Sequence, residues 1–255
     1  MRARPARRAR GFTLTELAVV FTIISLLLAA AMYTLSAQTD QRDLEETRRR
    51  LEAARELLLA FALVNGRLPC PASTTTGATA GFEAPAGGGT CTTSYGGWLP
   101  ARTIGFQVTD AAGNAIDAWG NAIRYAVSAT APTCPIAPTS PHFTNSTNLR
   151  ANGIGCQPND LVVCQSASGI TATACGTANP VTNQNTLAAI VFSTGKNGAT
   201  GAGGIDEGAN LNGDRVFVWH TPAPASAANG AFDDQFNWIS AGELYGKLIA
   251  AGLLP

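Results

Sequence analysis

From Leu17 to Leu35 the chain runs 19 residues without a formal charge, LAVVFTIISLLLAAAMYTL. A helix needs roughly 20 apolar residues to cross a bilayer, so this run predicts a membrane span over about 17–35. The pattern then changes without a break. In QTDQRDLEETRRRLEAARELLLAFALVNG, Leu44, Leu51 and Leu58 share one stripe and Thr47, Ala54 and Phe61 lie beside it, the spacing of an amphipathic helix. Glu45/Arg49, Glu46/Arg50 and Arg48/Glu52 stand four apart and support a solvated face. No proline or glycine intervenes until Gly66, where Asn65-Gly66 and then Pro69 predict a carboxy-terminal cap. The expectation is one helix over 12–64, about 80 Å long at 1.5 Å per residue, with its second half packed on a sheet.

Beyond residue 65 the period shortens. AIRYAV, AAIVFS (188–193) and VFVWH (216–220) read as strands. The Gly-rich STGKNGATGAGGIDEGANLNGDR between the last two reads as a β-hairpin connection that uses Asn-Gly turns. FDDQFNWIS predicts a turn and a strand, and Ser240 caps a short helix to Ala251. Residues 130–185 hold many Pro, Asn and Thr and one strong apolar run, Leu161-Val162-Val163. They read as an insertion braced by disulfides.

Composition supports a loop-rich head containing β-structure: 27 Gly, 14 Pro and only 13% charged residues. Net charge is zero, but five of the 17 basic residues (Arg2, Arg4, Arg7, Arg8, Arg10) lie in the first ten positions, leaving 12 against 17 acidic ones. No basic face remains for nucleic acid. The six cysteines, Cys70, Cys91, Cys134, Cys156, Cys164 and Cys175, include no C-x-x-C pair, and His142 and His220 are the only histidines, which argues against zinc. In an exported chain an even number suggests disulfides. Pairing of sequence neighbours would staple one Gly/Thr-rich loop each; free buried thiols are the alternative.

The arginine cluster predicts a cytoplasmic amino terminus and an exported remainder. A cleaved signal peptide could end at Ala29-Ala30-Ala31, and a plain anchor would stay uncut, but neither accounts for Glu16, a costly carboxylate at membrane depth. Gly11-Phe12-Thr13-Leu14-Thr15-Glu16, after a basic leader and before an apolar run, resembles the processing site of type IV pilins and type II secretion pseudopilins. The resemblance implies that prepilin peptidase cuts between Gly11 and Phe12 and methylates the new amine. It also implies that Glu16, as fifth mature residue, pairs with a neighbouring subunit's amine; a partnered charge is tolerable in an apolar core. Ser25 and Tyr33 stand where many members carry glycine and proline, which leans toward a minor subunit.

In the head, Asp117-Ala118-Trp119-Gly120-Asn121-Ala122-Ile123-Arg124-Tyr125 resembles the Asp-x-Trp-Gly-Asn-x-x-x-Tyr element of the major pseudopilin, with Trp119 read as a core-filling corner. Major pseudopilins also hold calcium in a carboxy-terminal loop. By that resemblance Asp206, Glu207, Asn210, Asn212 and Asp214 are candidate oxygen ligands, although Thr221 stands where an EF-hand would place its glutamate. Lys196 lacks phosphate-loop spacing. Asp233-Asp234 could form an acid/base dyad, but adjacent carboxylates on a strand would point to opposite faces. Asn145-Ser146-Thr147 matches a glycan acceptor. G-x-S-x-G and H-E-x-x-H motifs are absent, so no catalytic role is expected.

The expected fold is α+β and pilin-like: a cleaved basic leader (1–11), a long helix (12–64), and an exported antiparallel-sheet head (65–255) with disulfide-braced loops and a cysteine-rich insertion (130–185). The expected function is that of a structural subunit, with calcium as its one candidate cofactor, that meets prepilin peptidase, the inner membrane and other pilin or pseudopilin subunits. Its expected place is the bacterial inner membrane as a single-pass protein with a periplasmic head, then the filament. A membrane-tethered periplasmic binding or adhesive module is the alternative; it would have no need of Glu16.

Overall fold

A computed structural model describes residues 13–129, 134–136, 140–200 and 203–254, with backbone only over 30–37 and at 200. The leader, Gly11 and Phe12 therefore lie outside the described residues, as do parts of the 130–185 insertion. Helix α1 spans Leu14–Asn65. Gly66 ends it in the left-handed conformation, φ 66°, and donates its N–H to the Ala62 carbonyl at 2.8 Å. Two compact units divide the chain after Asp43, within this helix.

In the first unit the helix leaves its described apolar side chains open. Leu14, Leu17, Phe21, Leu26, Leu27 and Leu28 are all exposed. Among the described residues no helix is long and apolar enough to cross a membrane. Residues 30–37, which complete the apolar run expected over 17–35, are outside those whose side chains are described.

The second unit has three layers. Its central sheet, in the order β1-β2-β4-β6, comprises β1 (Gly97–Trp98), β2 (Arg124–Val127), β4 (Leu187–Ser193) and β6 (Gln235–Ser240), and each neighbouring pair is antiparallel. Alternation sends Tyr125, Val127, Ala189 and Val191 to one face, where they join Leu51, Ala54, Leu58 and Ala62 of α1. Ala126, Ile190 and Phe192 face the other way, against Leu161, Val163 and Phe217. Strand β4 is buried along its whole length, which is why its sequence reads as an unbroken apolar run. The third layer is a two-stranded parallel pair, β3 (Val162–Cys164) with β5 (Val216–Val218).

This arrangement corrects the hairpin expected from the Gly-rich segment. Strand β4 lies between β2 and β6, while β5 pairs with β3 in another layer. The connection carries helix α4 (Ile205–Asn210), so the two strands never meet as hairpin partners. The run Leu161-Val162-Val163, which had no assigned partner, supplies the strand that β5 needs.

Short helices close the edges: α2 (Ala101–Ile104), α3 (Ser146–Asn152) and α5 (Ala241–Ala250). Ser240 caps α5, its side chain accepting from the Glu243 N–H at 3.1 Å. Asn145 caps α3, accepting from Thr147 and Asn148, which gives the glycan-like triplet a structural use. Disulfides join each cysteine to its sequence neighbour: Cys70–Cys91, Cys134–Cys156 and Cys164–Cys175.

The Trp-Gly-Asn turn is organised by its aspartate. Asp117 is buried; one carboxylate oxygen accepts from the N–H groups of Trp119 and Asn121 (3.0 and 2.8 Å) and the other from the Ser193 hydroxyl at 2.6 Å. Trp119, expected to fill the core, is only half-buried. Arg50 of α1, ion-paired to Glu46 at 3.0 Å, donates to the Ile116 and Asp117 carbonyls and so ties the helix to this turn.

Candidate functional site

The head's most unusual chemistry lies where α4 meets the segment before β6. Glu207 on α4, Asp233 and Asp234 bring carboxylate oxygens within 4.8 Å of one another. The strand alternation that was expected to separate Asp233 from Asp234 does not apply, because both precede β6. Glu207 accepts from the Asp233 N–H at 2.7 Å and from the Asn197 amide at 3.2 Å. Asp233 accepts from the Lys196 N–H at 3.1 Å, and Asp234 from the Asn210 amide at 2.7 Å. Each aspartate keeps one buried carboxylate oxygen, Oδ1, without a hydrogen bond. Such an oxygen is expensive unless something positive meets it.

The electrostatics follow from that geometry. Burial, reinforced by the Glu207 and Asp233 charges, pushes the Asp234 carboxyl up to about 8. Burial likewise raises Glu207 and Asp233; Asp233 adds to the rise at Glu207, and Asp117 to that at Asp233. Glu207 and Asp234 line a cleft of about 60 Å³, together with Thr194, Asn197 and Gly204. Glycine is required around it. A Cβ on Gly195 would collide with Asp233, and one on Gly203 with Glu207. The glycines of this loop thus let backbone close over acidic side chains.

The donor set fits a hard cation. Calcium takes carboxylate and carbonyl oxygens in a flexible shell, and here buried carboxylates present oxygens that no protein donor meets. Of the five residues singled out from sequence, Glu207 is in this cluster, and Asn210 touches it through Asp234. Asp206 turns elsewhere, accepting from the Ala167 N–H and the Asn229 amide and pairing with His220 Nε2 at 3.0 Å. Asn212 and Asp214 bond to each other in an exposed turn. Asp233 and Asp234 read in the sequence as a dyad split between two strand faces; the signal for them as ligands is their place between two aromatic residues, Phe232 and Phe236.

At the amino-terminal end of α1, Thr13 and Glu16 form a reciprocal cap. The Glu16 carboxylate accepts from the Thr13 N–H at 2.9 Å and from its hydroxyl at 2.8 Å, and the Glu16 N–H donates to that hydroxyl at 3.3 Å. This is the capping box that Thr-x-x-Glu spells in sequence. Glu16 is exposed, at the head of a row of exposed apolar side chains.

Residues 6–32 match the prokaryotic N-terminal methylation motif. The chain carries a prepilin-type amino terminus. This match supports membership of the type IV pilin and pseudopilin family, and it implies processing by prepilin peptidase and pilin-type partners. No curated protein and no solved structure matches the chain. The prepilin-type segment contains Gly11, Phe12 and Glu16; the first two lie outside the described residues, and Glu16 stands in the first turn of α1. The acidic cleft lies outside the matched segment.

Proposed function

We propose that this chain is a minor subunit of a type IV pilus or a type II secretion pseudopilus, cut after Gly11, methylated at Phe12 and assembled through α1. One observation carries the reading: a prepilin-type motif whose glutamate heads a helix with its described apolar side chains exposed. Before processing, the arginine-rich leader holds the amino terminus in the cytoplasm and the apolar run anchors the chain in the inner membrane, with the head in the periplasm. After processing, the amine of a neighbour replaces Thr13 as the partner of Glu16. The departures at Ser25 and Tyr33, and the cysteine-rich stretch, support a minor role.

A Glu16→Ala subunit tests this. Incorporation into isolated filaments should be lost while the head's melting temperature is unchanged, because among the described residues Glu16 hydrogen-bonds with Thr13, just ahead of α1. Unaltered incorporation would leave the tethered binding or adhesive module as the better account.

Calcium belongs to the same reading, with Glu207, Asp233 and Asp234 as the residues that hold it. When bound it would supply the positive charge those buried carboxylates lack, fastening α4 to the chain ahead of β6. We read the cleft as structural and not catalytic. Pockets for organic ligands measure about 300–1,000 Å³, whereas this one, at about 60 Å³, suits an ion with little else.

A further inference from the structure

We propose that Cys134, Cys156 and His142 form a zinc site when the Cys134–Cys156 bridge is in its dithiol form. The two sulfurs and one imidazole nitrogen lie within 4.8 Å of one another. Cys156 is fully buried, and His142 is 1% exposed. The spacing that argued against zinc in the sequence is a spacing of neighbours; the fold brings these three together from around one loop.

The Tyr245 hydroxyl fixes which imidazole nitrogen is free. It donates its single proton to the Cys156 carbonyl, so toward His142 it can only accept. The ring must therefore carry its proton on Nε2, which meets the Tyr245 oxygen at 2.9 Å. Nδ1 is left as a bare lone pair, buried and without a hydrogen bond. Packing explains the rest of the ring, edge-on to Phe143 at 4.8 Å between centroids, but it gives Nδ1 no partner. A histidine whose outer N–H is held by a neighbour while its other nitrogen stays bare is the usual form of a metal-ligating histidine. Thiolate sulfur with imidazole nitrogen is a donor set that zinc prefers and calcium does not, so this site and the acidic cleft would select different ions.

The exchange balances. A dithiol reductant gives two electrons to the Cys134–Cys156 bond and is itself oxidised to a disulfide. Two cysteine thiols form, and their two protons pass to solvent as the thiolates bind Zn²⁺. His142 supplies the third ligand and water the fourth. A disulfide oxidant that takes two electrons from the two thiolates, and with two protons from solvent becomes a dithiol, rejoins the sulfurs and releases the ion.

The test uses the full-length chain in detergent micelles, reduced with dithiothreitol, desalted without oxygen and titrated with zinc against a chromophoric chelator. The reduced chain should bind one zinc that the oxidised chain does not. Binding should survive C70S/C91S and C164S/C175S and disappear in C134S/C156S. Tyr245→Phe should weaken it by about 10–100-fold, the usual cost of an outer-shell partner. Cobalt substitution reads the ligand set independently of affinity: sulfur-to-cobalt charge transfer with tetrahedral visible bands should appear in wild type and change in His142→Gln. Zinc bound equally by C134S/C156S, a cobalt spectrum unchanged by His142→Gln, or no zinc on the reduced wild type would each overturn the proposal.

Discussion

Replacing Asp234 with asparagine should remove a pH dependence from head stability and abolish its response to calcium. Asp234 is buried, with a carboxyl raised from 3.8 to about 8. In the metal-free fold it therefore holds a proton over a range where the unfolded chain has released it. The folded state binds more protons than the unfolded state, so this group's contribution to stability falls as pH rises from about 4 to about 8. Each pH unit in that window costs about 1.4 kcal/mol, so going from about pH 5 to about pH 7 removes about 3 kcal/mol. For a chain of this size that is about 6–12 °C in melting temperature. The asparagine side chain cannot ionise, and it has the shape to keep the contact with Asn210. Thermal unfolding of both full-length proteins in detergent, with a chelator, should show the wild type losing those degrees relative to Asp234→Asn. Added calcium should restore the wild type at about pH 7 and leave the variant unmoved, because binding stabilises only the state that holds the ligand. A wild type whose melting tracks the variant across this range would refute the electrostatic reasoning. Equal calcium shifts in both would remove Asp234 from the site.

Leu58→Ala should cost about 2–5 kcal/mol in denaturant unfolding, since Leu58 is fully buried between α1 and the sheet and truncation leaves a cavity. Glu83→Ala should cost about 3–5 kcal/mol by the same assay. Glu83 receives two Arg67 hydrogen bonds at 2.8 Å, and the Arg67 side chain is only 9% exposed, so removal strands a buried cation.

The long helix and its buried stripe were legible because an amphipathic period survives any tertiary context: Thr47, Leu51, Ala54 and Leu58 all face the core. AAIVFS was legible because a strand covered on both faces has no polar alternation to hide it. The partner of VFV was not. It pairs with residues about fifty positions earlier, and nothing local encodes a parallel pairing across a disulfide-bridged segment. The acidic cleft was half legible. Its glycines and acids were visible as a loop that could bind a cation, but the sequence offered ligands by proximity along the chain. The fold instead draws Glu207 from a helix to Asp233 and Asp234 beyond β5, and leaves Asn212 and Asp214 to satisfy each other. Glu16 was legible as a carboxylate out of place before an apolar run, but its bond to Thr13 was not read from the sequence, although Thr-x-x-Glu spells a capping box.

How this chain is processed is decided by intact-mass and peptide mass spectrometry of its mature amino terminus. The mature protein should begin at Phe12 and carry one methyl group on its amine. A mature chain that begins at Met32, or one that retains the arginine-rich leader, would contradict it.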